Sequence, residues 1–225
     1  MTASRSGRNR LWLLPAMLLL VFAAWSLVGV VADLAAFRGK AWVETWSFQA
    51  IQAQARGEAY SPLESDWQEA RNFGEWSVRL SPLNADYREG LAGIYETHYI
   101  MAPPGAPQAR PDRERAVGLY RDSIALRPDW PYAHAALAYA LLRLGNHDQE
   151  MERALTDAAR LGPWEPQVME AVVDVGLDAW YRISPAMREV VGATLLRSQS
   201  WKAGVAGQAH ADRVWARVEM HHKQA

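Results

Sequence analysis

Six histidines, at positions 98, 134, 147, 210, 221 and 222, are the side chains best suited to proton transfer or metal binding near neutral pH. Their spacing supports neither role. His221 and His222 are adjacent, and on a helix neighbouring side chains point about 100° apart, so the two do not converge on one ion. His134 and His147 fall in a helix start and a turn, where packing and capping roles suffice. Glu150 and Glu152 read as solvated helix surface. The chain carries no G-x-S-x-G, no phosphate-binding glycine loop, no H-E-x-x-H and no dinucleotide fingerprint. It has no cysteine, which excludes disulfides, thiolate metal sites and cysteine nucleophiles. A net charge of -1 offers no basic face for nucleic acid. These residues assign no catalytic group, no cofactor and no metal, and the chain reads as a non-enzyme. A binding surface is what remains, and its position depends on the elements that carry it.

The first element is apolar. Leu11 to Ala32 contains no charged residue, and its 22 residues would span ~33 Å as a helix, against a bilayer core of ~30 Å. Arg5, Arg8 and Arg10 precede it and Asp33 follows, so the positive-inside bias puts the N-terminus in the cytoplasm. A leader cleaved after Val30-Val31-Ala32 is the competing reading. The run exceeds the ~7–15 residues of a leader core, which favours an uncleaved single-pass anchor. Beyond it the domain would lie outside the cytoplasm.

The rest reads as helix. Val, Ile and Thr are sparse, two-residue alternation is absent, and the helical period recurs. Helices are predicted over 33–56, with Phe37, Val43, Trp46, Phe48 and Ile51 as its large apolar residues, and over 65–80, 85–99, 113–127, 131–144, 148–161, 165–181 and 185–197. A last one is expected around 210–220. Ser81-Pro82 stops one helix, because the residue before proline is pushed out of the α region. Four prolines and a glycine make 101–112 a loop. Ser184-Pro185 is a cap followed by proline at the first helical position. Of the eleven tryptophans, those away from the membrane end are expected as helix-packing anchors.

Three stretches align. They begin at Ser77, Ser123 and Ala158, with leucine three later, proline five later, and Leu91, Leu137 or Val172 fourteen later. The turn prolines Pro82, Pro128 and Pro163 lie 46 and 35 residues apart, and removing the 12-residue proline-rich loop shortens the first interval to 34. A period of about 34 with two helices per unit is that of the tetratricopeptide repeat. Ala116, Tyr120, Ser123 and Pro128 fit the second helix of such a unit. Leu91 with Tyr95, and Leu137 with Leu141, fit the first, and Gly145 ends one. Gly74 and Gly176 depart from the pattern, standing where bulky residues are expected. The fold class is therefore all-α: an N-terminal transmembrane helix followed by a tetratricopeptide-like helical-hairpin solenoid. The divisions are 1–10 cytoplasmic, 11–32 membrane, 33–63 linker helix and connector, 64–199 repeat domain, and 200–225 tail.

In such a stack the first helices of the hairpins line the concave face. The side chains expected there are Asp86, Glu89 and Glu96, then Tyr132, Tyr139 and Arg143, then Gln167, Glu170, Asp174 and Asp178. This surface is acidic with two tyrosines. It lacks the basic cluster with which carboxylate-clamp versions of the fold grip a chain terminus. It suits a basic or neutral polar protein partner, or a glycan stacked on Tyr132, Tyr139 and Trp130; the same pattern also fits a merely solvated face.

The segments Ala125–Gly145 and Glu150–Trp180 resemble VpsP-type polysaccharide biosynthesis proteins, single-pass proteins of bacterial exopolysaccharide loci. The Leu-Gly-Pro-Trp-Glu-Pro turn at Leu161–Pro166 is the most specific part of the likeness, which runs from Leu11 to about Gln199. The resemblance implies a non-enzymatic helper of exopolysaccharide assembly or export, with protein partners from that membrane or periplasmic machine and polysaccharide as the other candidate ligand. It carries no catalytic residues.

Overall fold

The computed structural model describes residues 13–200 and 211–219. Arg5, Arg8, Arg10, His210, His221 and His222 lie outside the described residues, as does most of the proposed tail. The described residues are helical with no strand.

Helix α1, Leu13–Ala55, runs 43 residues without a break, ~65 Å at helical rise. Its N-terminal part is apolar and exposed, and α1 is long and apolar enough to cross a membrane. Burial begins where the apolar run ends. Ala32, Gly39, Trp46 and Ala53 are buried at seven-residue intervals, joined by Ala35 and Ala50. That is a coiled-coil type of seam, and small residues let the neighbouring helices approach closely. Phe37, Phe48 and Ile51, the large residues that mark this helix in the sequence, lie on its outside.

Seven helices follow: α2 Glu64–Leu80, α3 Ala85–His98, α4 Arg110–Leu126, α5 Pro131–Leu144, α6 Gln149–Leu161, α7 Pro166–Asp178 and α8 Pro185–Ser200. A ninth, α9, covers 211–219. Three helices depart from the sequence expectation by three residues at one end, among them α8, which runs on to Ser200. Helix α4 starts inside the expected loop, after a 3-10 turn at Pro107–Ala109, because Pro111 sits in its first turn, where the missing N–H costs nothing. Helix α7 ends at Asp178, three residues early, where a turn caps onto Val175 and Leu177.

The helices form antiparallel hairpins, α1–α2, α3–α4, α5–α6 and α7–α8, each against the next. The aligned positions are where they touch. Ser77, Ser123 and Ala158 are buried, and so are Leu91, Leu137 and Val172. Gly145 closes α5 at φ 92°, a left-handed conformation that glycine adopts without Cβ strain. Asn84 and Asp148 cap α3 and α6 by accepting backbone N–H groups. Ser184 caps α8, its Oγ accepting from the Met187 N–H at 3.2 Å.

Candidate functional site

The proline-rich connection between α3 and α4 is fastened from both sides. Arg113, buried at 2% exposure, donates to the carbonyls of Ala102 (2.8 Å), Pro103 (2.9 Å) and Arg143 (2.6 Å). Arg143 donates to the carbonyls of Tyr99 (3.1 Å) and Ile100 (2.6 Å). Two guanidinium forks thus satisfy carbonyls that no helix can reach. Gly105 donates its N–H to the Arg143 carbonyl, and its Cα lies 3.2 Å from where a Cβ on Gly145 would stand.

Beneath this clamp lies Glu96. Its Oε2 accepts the Tyr120 hydroxyl at 2.8 Å, while Oε1 is buried without a partner. Burial pushes its carboxyl up to about 7, although the Tyr120 bond and the Arg143 and Arg113 charges pull the other way. The same burial brings Arg113 down to about 10, with the Arg143 charge adding to the effect.

The ten residues expected on the inner face separate into groups. Asp86 and Glu89 both accept from Arg127 (2.7 and 3.0 Å), and Glu89 also takes the Ser123 hydroxyl at 2.6 Å. They knit α3 to α4. Tyr132 donates to Glu165 at 2.6 Å. Gln167 and Asp178 are exposed. Glu170 and Asp174, on α7, hold α9: Arg213 reaches Glu170 at 2.8 Å and Arg217 reaches Asp174 at 3.4 Å. Helix α9 also seats Ala211 and Val214, at 2% and 1% exposure. Tyr139 is 42% exposed and, with Arg143, Arg217, Ile51 and Met101, lines a groove of about 400 Å³ between α1, α5 and α9. The structure therefore brings Tyr139, Arg143, Glu170 and Asp174 together around α9, and leaves Asp86, Glu89 and Tyr132 in ties between helices.

Other side chains have definite roles. His134 is buried with Nε2 at 2.8 Å from the Pro128 carbonyl. Glu150 takes a two-pronged bond from Arg121, both contacts 2.7 Å, and Glu152 accepts the Ser184 N–H (2.7 Å) and hydroxyl (2.6 Å). These two carboxylates are structural ties and not merely solvated surface. His98, to which the sequence assigns no role, stacks on Trp67 at 3.7 Å between Asp112 (2.7 Å) and Glu64 (2.9 Å), joining α2, α3 and α4. Trp46 and Trp67 are packing anchors, but Trp76, Trp164 and Trp215 are at least half exposed. Helical period alone does not tell these apart.

Stacked two-helix units with recurring buried positions define a tetratricopeptide-like helical-repeat fold, a class that typically binds proteins and typically lacks catalysis. In keeping with this, the chain is similar to the crystal structure of TTC0263, a thermophilic TPR protein of Thermus thermophilus. The TM-score is 0.53 at 16% identity, over 68% of this chain and 73% of that one. No protein-family model and no curated protein matches the sequence.

Proposed function

We propose that this chain is a non-catalytic scaffold, held in the bacterial inner membrane by α1 and working through protein contacts of its repeat domain. The single observation that carries the reading is the pairing of Glu170 and Asp174 with the arginines of α9. These two carboxylates hold an arginine-bearing helix of their own chain, and a partner with a similar segment would use them in the same way. The uncharged run Leu11–Ala32 and the arginines before it support a single-pass anchor with a cytoplasmic N-terminus and a periplasmic repeat domain. The resemblance to VpsP-type proteins supports a place in exopolysaccharide biosynthesis or export, with partners among the proteins of that machine.

The test is affinity capture from native membranes with the full chain and with a Glu170→Lys/Asp174→Lys variant. Polymerase or export proteins recovered with the first and lost with the second support the scaffold; recovery of neither refutes it. A reporter fused after Ala225 and active only in the cytoplasm would sink the topology.

One observation favours a second reading, a carbohydrate-binding module. Tyr139 presents an exposed ring beside a groove of about 400 Å³. Glycan binding by the full chain that disappears in Tyr139→Ala would establish it.

A further inference from the structure

Three turns join one hairpin to the next, at 81–84, 127–130 and 162–165, and the antiparallel order puts all three on one edge of the stack. Helix α1 leads away from its apolar end and α2 leads back, so this edge returns to the level of the apolar run. Two contacts fix how far. The Tyr87 hydroxyl, in the first turn of α3, donates to Asp33, the first charged residue after the run. Trp25, ~12 Å nearer the N-terminus than Asp33 at helical rise, borders the same groove of about 540 Å³ as Leu80, Leu83, Leu126 and Arg127. The first turn therefore lies beside α1 within its apolar length.

Each turn exposes a large apolar side chain: Leu83 at 81%, Trp130 at 36% and Trp164 at 56%. Leu80 and Leu126, each two residues before a turn proline, are 36% and 38% exposed. An arginine also packs on each turn, from α3 on the first, from the turn itself on the second and from α8 on the third. Arg88 donates to the Pro82 carbonyl, Arg127 lies over the Trp130 ring at 4.2 Å, and Arg197 lies over Trp164 at 5.7 Å. Tryptophan beside arginine is the composition of a membrane–water interface, where the ring sits among headgroups and the long stem spans to charge. The opposite edge also exposes Leu63 and Tyr181. Helix α1 holds that edge ~33 Å from Asp33, beyond the bilayer surface.

We propose that this edge of the stack rests on the lipid surface. Leu83 enters the bilayer beside Trp25, and Trp130 and Trp164 lie at headgroup level. The proposal rests on α1 spanning the membrane. It makes the repeat domain a reclining one, its three turns in contact with lipid, and leaves the far edge and the inner face for proteins.

The absence of cysteine makes the test direct. Single variants Leu83→Cys, Trp164→Cys, Leu19→Cys and Asn146→Cys are made in the full chain, spin-labelled, and reconstituted in vesicles of phosphatidylcholine and phosphatidylglycerol. All four positions lie on the surface or in a turn, and circular dichroism checks that the helices are retained. Accessibility to oxygen and to an aqueous nickel complex is then measured. The expected oxygen-to-nickel ratio at positions 83 and 164 is several-fold above that at 146 and approaches that at 19. Ratios at 83 and 164 equal to 146, with 19 still lipid-like, overturn the proposal and leave the anchor standing. An aqueous ratio at 19 overturns both. Positions 83 and 164 closed to both reagents would mean a protein covers the edge, which also overturns it.

Discussion

Arg113 donates a 2.6 Å hydrogen bond to the backbone carbonyl of Arg143, and Arg143 in turn donates to the carbonyls of Tyr99 and Ile100. The two arginines are thus a backbone clamp on the proline-rich connection, with α4 and α5 as its jaws. Removing Arg113 takes from the Ala102 carbonyl its side-chain donor and leaves the Pro103 and Arg143 carbonyls with only the N–H groups of Ala106 and Gly105. Arg113→Ala is expected to cost about 2–4 kcal/mol, and Arg113→Lys nearly as much because an ammonium lacks the fork. Chemical denaturation of the full chain in detergent, followed by circular dichroism, measures it; a loss below about 0.5 kcal/mol, typical of a surface change, would dismiss the clamp.

Glu96 makes stability depend on pH. Its folded carboxyl titrates at about 7, above the ordinary value of 4.5, so the folded state binds more protons between those two values. Stability therefore falls as pH rises through this window, and the penalty is complete above about pH 7. Glu96→Gln keeps an acceptor for Tyr120 without the charge. It is expected to flatten this dependence and to stabilise the chain at pH 8. Denaturation midpoints at pH 5 and pH 8 for both proteins decide the matter, and parallel profiles would reject it.

Gly176 stands where the repeat pattern calls for a large residue, and the neighbouring helix explains why. A Cβ there would lie 2.3 Å from Val191 Cγ2. Gly74 is similar, with Leu91 Cδ1 at 2.8 Å, although that side-chain tip can move. Gly176→Ala is expected to cost about 1–3 kcal/mol from overpacking, more than Gly74→Ala. Gly176→Ala combined with Val191→Ala should recover part of the loss. Thermal midpoints of the two singles and the double mutant provide the comparison.

The seat of α9 combines Ala211 and Val214 burial with two largely exposed ion pairs. Exposed pairs contribute ~0–1 kcal/mol each, so Val214→Asp is expected to free the helix more fully than Arg213→Glu/Arg217→Glu. The order of proteolytic cleavage rates within the tail tests this: Val214→Asp fastest, the double charge reversal intermediate, the parent slowest. Adding Glu170→Arg/Asp174→Arg to the charge reversal should restore protection. No restoration would show that these carboxylates do not hold the helix.

Much of the fold was legible because helix stops are local. Pro82, Pro128 and Pro163 each end a helix through their own sterics, and Gly145 needs only its own positive φ. The regular spacing of these stops therefore exposes the unit length. The site was less legible. Tyr132, Tyr139 and Arg143 share one helix and one sequence motif. Yet Tyr132 bonds to Glu165, Arg143 holds loop carbonyls, and only Tyr139 keeps an open ring. Helical period reports which way a residue faces and says nothing of what stands opposite. Likewise Phe37 and Phe48 look like a core face of α1, whereas the buried seam consists of alanines, a glycine and Trp46.

Most helix stops, the repeat period and the uncharged N-terminal run can be read along the chain, because each follows from backbone stereochemistry or transfer energy within a few consecutive residues. The partners of the charged groups emerge when the hairpins pack. Arg113 meets Arg143, Arg213 meets Glu170 and Tyr87 meets Asp33 across separations of 30 residues or more. Those meetings depend on how successive hairpins rotate against one another, a quantity set by the fit of side chains such as Gly176 against Val191 and written in no single segment.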